Sequence, residues 1–177
     1  MKGKTIKEIK ILAKLQNNEY VVQYKNSWIE NNEILYIQME LCFNTLREIL
    51  IQKRNDFQRK DFQTMSLTEY YISCQIFKEI LECVDYLHKL KPKPIIHRDL
   101  KPTNILITHG INGRFVKLAD FGLAVVHKFD DQTHTEGLGS FKYCAYEVRS
   151  GRSYDTKADI FSLGVITQEL FDIDIYG

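Results

Sequence analysis

The sequence runs to 177 residues, 44% hydrophobic, 27% charged and 12% aromatic, with a formal net charge of +1. A chain of that length holds one core, and its apolar share excludes a disordered segment. The balanced charge, with Lys and Arg scattered, leaves no footprint for a nucleic acid, and no apolar run approaches the ~18 residues of a membrane span.

The opening MKGKTIKEIK has no apolar signal core, so this stretch reads as neither exported nor embedded. Thr5 to Leu15 has helical spacing through Ile6, Ile9, Leu12, Ala13 and Leu15, with Thr5 and Glu8 as a capping box. Val22, Tyr24 and Trp28 alternate with polar positions, Asn31-Asn32 offers a turn, and Ile34 to Met39 is β-rich, which predicts a hairpin. Leu46 to Gln52 is a short helix, and the charged KRNDFQRKDFQ that follows reads as a solvated connection.

From Leu67 to about Leu90 the positions Cys74, Phe77, Leu81, Val84 and Leu87 predict a long amphipathic helix, stopped by Pro92 and Pro94. Pro102, Gly110, Gly113 and Gly122 then punctuate short apolar runs at Ile105 to Ile107 and Val116 to Leu118, the pattern of small strands joined by tight turns. Thr156 to Phe171 regains helical spacing through Ile160, Leu163, Ile166 and Leu170, apolar enough for a buried helix. The four cysteines, Cys42, Cys74, Cys83 and Cys144, lack metal-ligand spacing and sit among apolar residues, which fits a reducing compartment, the cytoplasm or the nucleus.

The chemistry concentrates in HRDLKPTN, His97 to Asn104, followed at Asp120 by DFG with a β-type run between. Taken singly, Asp99 and Asn104 are ordinary turn residues. The ordered set is not explained that way, and it resembles the catalytic and metal loops of eukaryotic protein kinases. That resemblance implies an α+β, bilobal kinase fold and an ATP-dependent, Mg2+-dependent phosphoryl transfer to a protein. Transfer needs an acceptor hydroxyl held in line and cations against the phosphate oxygens. On the resemblance, Asp99 is the base, Asn104 and Asp120 are oxygen ligands for magnesium, and Lys101 reaches the transferred phosphate.

DLKPTN and the Gly139-Ser140 pair before Tyr143 resemble the serine/threonine class. Arg98 resembles the arginine that pairs with an activation-loop phosphate, for which Thr133, Thr135 and Ser140 are candidate acceptors; each alone also reads as an ordinary polar loop residue. Glu8 falls where the αC glutamate of kinases sits, besides its cap role. LYIQMELC resembles the strand entering the hinge, with Met39 as gatekeeper or plain core residue, the Glu40 carbonyl and Cys42 amide on the adenine edge, and Leu106 beneath the ring. Leu12, Tyr24, Phe121 and His97 match the stack that links kinase lobes, and Asp159 matches its anchor in αF.

The implied organisation is a partial kinase domain over 1–177, with an N-lobe remnant at 1–39 (αC and two strands), a hinge at 40–45 and a mainly helical C-lobe portion at 46–177 ending after αF. Before Glu8 there is no glycine-rich G-x-G-x-x-G loop and no V-A-I-K-type lysine, and Ala145-Tyr146-Glu147 stands where kinases read A-P-E. The expectation is a domain truncated at both ends, with little activity as this chain alone. The rival reading is a pseudokinase-like nucleotide- or partner-binding module without turnover. NSWIE, LYIQMELC, TLREIL and THTEGLGSFKY resemble the stress-activated kinases of the translation initiation factor two alpha subunit, which makes that subunit the expected protein substrate.

Overall fold

A computed structural model of the chain describes residues 9–15, 17–31, 34–58, 64–111, 113–126 and 141–173. The architecture is α+β. Helix α1 covers residues 9–14. It is followed by β1 (Tyr24–Glu30), β2 (Ile34–Met39), β3 (Asn44–Thr45), α2 (Leu46–Asp56), α3 (Leu67–Lys89), β4 (Ile95–Ile96), β5 (Ile105–Ile111), β6 (Arg114–Leu118), β7 (Val125–Val126), α4 (Tyr146–Arg149) and α5 (Lys157–Leu170). Short 3-10 turns at Pro102–Asn104 and Phe121–Leu123 flank the β5–β6 hairpin. Among the described residues the strands pair antiparallel, β1 with β2, β5 with both β3 and β6, and β4 with β7, and one isolated parallel bridge joins Val21 to Leu118.

Local chemistry sets the helix starts. Thr45 and Glu48 form a capping box, the Glu48 N–H donating to Thr45 Oγ1 at 3.3 Å and the Thr45 N–H to Glu48 Oε2 at 2.6 Å. Ser66 Oγ accepts the Glu69 N–H at 3.2 Å and starts α3. The expected Thr5–Glu8 cap lies outside the described residues.

The buried face of α3 carries Ser73, Ile76, Ile80, Cys83, Val84 and Leu87. Val84 and Leu87 are buried as expected, but earlier in the helix the buried positions fall one residue before the expected ones: Leu81 is 41% exposed, and Cys74 and Phe77 are only half-buried. Consecutive apolar residues such as Ile80 and Leu81 let two neighbouring stripes fit the same period, and packing against β6 selects one. Glu79 fixes that choice, because its Oε2 accepts the Phe115 and Val116 N–H groups at 2.9 Å each. Burying one aliphatic side chain contributes about 1.5–3 kcal/mol, so the phase with more buried side chains prevails.

On α5, Leu163, Ile166 and Leu170 are buried as expected, but Ile160 is 53% exposed. The start of the charged stretch, expected to be a solvated connection, also differs. Residues 53–56 continue α2, and Lys53 is buried, donating to the Leu170 carbonyl at 2.5 Å. One core cluster joins α1, α3, the β5–β6 hairpin and α5 through Leu12, Ile80, Leu118, Phe121 and Ile166. A second, smaller cluster packs Ile96, Cys144, Ala145, Val148, Tyr154 and Ala158 together.

Candidate active site

The segment from His97 to Lys101 is irregular, so its backbone needs partners from elsewhere. Asp159 on α5 supplies them. Its fully buried carboxylate accepts the His97 N–H at 3.0 Å through Oδ2 and the Arg98 N–H at 2.9 Å through Oδ1. His88, from the last turn of α3, reaches the same Oδ2 at 2.7 Å. Arg98 sits in the left-handed region, φ 66°, a strained geometry that these bonds hold in place.

Beyond Arg98 the side chains converge. Lys101 Nζ donates to Asp99 Oδ2 at 2.7 Å, and Asn104 Nδ2 donates to the Asp99 carbonyl at 2.9 Å and to Oδ2 at 3.0 Å. Asp120 approaches from the other strand, its Oδ2 lying 3.5 Å from Asn104 Nδ2. The β5–β6 hairpin explains that meeting. Asn104 precedes β5 and Asp120 follows β6, and the Ala119 N–H donates to the Asn104 carbonyl at 2.9 Å across the open end. Asp120 is also left-handed, φ 62°, with Oδ1 accepting the Gly122 N–H at 3.3 Å.

The donor set fits magnesium. Asp120 and Asn104 each carry a hard oxygen of the kind magnesium takes, with Asn104 meeting Asp120 Oδ2 through its amide nitrogen while its Oδ1 accepts from Thr103 Oγ1 at 3.5 Å, and among the described residues no cluster of three or more His, Cys, Asp or Glu side chains competes as a metal site. Magnesium takes one or two protein oxygens and completes its shell with water and phosphate.

Of the residues expected at the adenine edge, Leu106 lies on β5, Met39 ends β2, and Glu40 and Cys42 fall between β2 and β3. The Glu40 N–H donates to the Gln23 carbonyl at 2.9 Å, ahead of β1, and the Phe43 N–H donates to the Ile107 carbonyl at 2.9 Å, which ties Phe43 to β5. Leu106 pairs across the ladder with Thr45 on one side and Lys117 on the other. Lys117 Nζ in turn meets Glu40 Oε1 at 2.5 Å. Two residues of strand separate Asn104 from Leu106, about 7 Å at the usual rise. Met39, at the end of β2, is 41% exposed and not a core residue. Burial, then the Glu40 charge, pushes the Cys42 thiol up despite the Lys117 cation.

Of the lobe-linking set, His97, Phe121 and Leu12 are buried and Tyr24 half-buried, with the His97 and Phe121 rings 4.9 Å apart. Glu8, Thr133, Thr135, Gly139 and Ser140 lie outside the described residues. His88, Lys117 and Tyr154 went unremarked in the sequence, because their partners are 71, 77 and 56 positions away.

Comparison with known proteins follows the same line. The family model for the protein kinase domain matches residues 1–175. Eukaryotic translation initiation factor 2-alpha kinase 1 of Rattus norvegicus is 38% identical over 152 residues, covering 78% of this chain and 24% of the relative. The interferon-induced, double-stranded RNA-activated protein kinase of the same species is 32% identical over 189 residues, covering 96% of this chain and 34% of the relative. The chain thus spans about a quarter to a third of these curated relatives. Among solved structures, a chain of the yeast RNA Pol II CTD kinase CTDK-1 complex aligns with TM-score 0.73 and 29% identity, over 96% of this chain and 50% of that one.

Proposed function

The chain belongs to the protein kinase family, and on that premise we propose that it is the catalytic portion of an ATP-dependent protein serine/threonine kinase. The observation that carries this reading is the meeting of Asp99, Lys101, Asn104 and Asp120 at the open end of one hairpin. In the proposed reaction Asp99 orients the acceptor hydroxyl and takes its proton as the new oxygen–phosphorus bond forms and the bond to the ADP oxygen breaks. Lys101, 2.7 Å from Asp99, places a cation beside the transferred group. Asn104 and Asp120 hold magnesium, which when bound neutralises charge on the phosphate oxygens. Met39, Glu40, Cys42 and Leu106 form the adenine pocket, and Glu8 belongs to the phosphate side. This assigns 1–39 to a small lobe, 40–45 to a hinge and 46–177 to a large lobe.

For the substrate we propose the alpha subunit of translation initiation factor two, supported by the kinase named for it at 38% identity and by the stretches NSWIE and LYIQMELC. The reading places the protein in the cytoplasm, in keeping with four free cysteines. The test is transfer of labelled phosphate from ATP to that subunit, with serine-only, threonine-only and tyrosine-only peptides alongside. It uses a chain carrying these residues together with a glycine-rich loop and a strand lysine. Label on tyrosine alone defeats the serine/threonine assignment, and an unlabelled subunit defeats the substrate assignment.

A further inference from the structure

Arg98 does more than follow the anchored turn. Its guanidinium is buried, 6% exposed, and a buried cation needs oxygen partners to offset its lost hydration. Nε donates to the Leu123 carbonyl at 2.6 Å and Nη1 to the Tyr154 hydroxyl at 2.5 Å. Leu123 ends the 3-10 turn that Asp120 caps, and within that turn the closing bond runs from the Ala124 N–H to the Phe121 carbonyl. The Leu123 carbonyl is therefore held from outside the turn, by Arg98.

Tyr154 is rigid enough to direct this. It is 5% exposed, it packs with Ile96, Cys144, Ala145, Val148 and Ala158, and its ring centroid lies 5.7 Å from the Arg98 guanidinium carbon. Ile96 is the residue before His97, so the ring and the backbone of the catalytic turn share one packed cluster. Burial raises the Tyr154 phenol, keeping its oxygen neutral as the acceptor for the cation.

We infer that Tyr154 is a positioning residue for the metal site: its hydroxyl fixes Arg98, and Arg98 fixes the Leu123 carbonyl and with it the Asp120 carboxylate against Asn104. The inference rests on the reading of Asp120 and Asn104 as magnesium ligands. Groups that orient a metal ligand through one intervening partner commonly change metal affinity by about 10–100-fold when removed.

The experiment titrates ATP into the 177-residue chain with and without magnesium chloride, for the wild type, Tyr154→Phe, Arg98→Met and the double variant. Phenylalanine keeps the packed ring and removes one oxygen. The expected result is a loss of about tenfold in magnesium-dependent affinity for Tyr154→Phe, with metal-free affinity unchanged. The double variant should be no weaker than Arg98→Met, because the tyrosine acts through the arginine. Wild-type magnesium dependence that survives intact in Tyr154→Phe overturns this inference alone. A wild type indifferent to magnesium overturns the metal-site reading and the inference together. Nitrogen NMR of the Arg98 guanidinium gives an independent readout: restrained rotation in the wild type and faster rotation in Tyr154→Phe. Free rotation in the wild type also overturns it.

Discussion

Asp159 Oδ2 accepts the backbone N–H of His97 at 3.0 Å, so a residue of the last helix holds the turn that carries Asp99. The carboxylate also takes the Arg98 N–H and the His88 ring nitrogen. Asp159→Ala leaves two buried N–H groups without an acceptor, at about 1–3 kcal/mol each. Chemical denaturation should register a loss above about 2 kcal/mol. A variant within about 0.5 kcal/mol of the wild type would remove Asp159 as the support of that turn.

The 177-residue chain is expected to transfer phosphate far below the usual 1–100 per second. Phosphoryl transfer depends on positioning and charge, and each 1.36 kcal/mol of lost transition-state stabilisation is about tenfold in rate. Ordinary turnover by the purified chain, measured with labelled ATP, would refute the dependence on a glycine-rich loop and lysine.

Asp99 and Asp120 should separate in a paired test. Asp99→Asn is expected to keep magnesium-dependent ATP binding in this chain, and to abolish transfer in a longer chain that has the phosphate loop. Asp120→Asn is expected to weaken the magnesium-dependent binding itself, since a charged oxygen ligand is lost. Equal effects of the two substitutions on binding would show that the roles are misassigned.

Cys83 provides a pH test. Its thiol is fully buried and pushed up to about 12 from an ordinary 9.0, chiefly by burial, with the Arg114 cation opposing. Between pH 9.0 and about 12 the folded chain keeps a proton that the unfolded chain releases, so stability falls as pH rises through that window. Cys83→Ala should flatten the alkaline decline, by up to about 1.4 kcal/mol per pH unit. An unchanged slope in alkaline urea titrations would rule the thiol out as its source.

Lys53 tests a buried pair against an exposed one. Its Nζ meets the Leu170 carbonyl at 2.5 Å and lies 3.5 Å from both Glu69 and Asp172. Lys53→Met should cost about 3 kcal/mol, because a buried carboxylate loses its cation. Lys78→Met, which breaks the exposed pair with Glu82, should stay within about 0.5 kcal/mol. Similar losses for both would contradict the burial argument.

The order of elements was legible because periodicity and punctuation are local properties: the α3 and α5 helices begin within one residue of Leu67 and Thr156. The phase of the first part of α3 was not, since Ile80 and Leu81 compete until β6 is in place, whereas Val84 and Leu87 are buried as expected. Asp99, Asn104 and Asp120 could be picked out by their ordered spacing. Tyr154 and Lys117 carried no such mark, because a tyrosine before a helix and a lysine in a strand are common, and only the folded chain pairs them with Arg98 and Glu40. Lys53 misled for a related reason: a charged run looks solvated until a helix end supplies a carbonyl for it.

The β5–β6 ladder is regular at its open end, pairing Ile105 with Leu118, Leu106 with Lys117 and Ile107 with Val116, and its irregularity falls only between Ile107 and Ile111. Changes of chain length therefore have very different consequences along one hairpin. Deleting a residue between Asn104 and Ile107 would turn every following side chain to the opposite face, moving Leu106 out of register with Thr45 and Lys117 while Asp120 stayed behind. An insertion near Gly113, where φ is +79° and a side chain would meet open space, would be absorbed by the turn. That tip is where a reporter group or a foreign loop can be grafted while the spacing between the two acidic residues is kept.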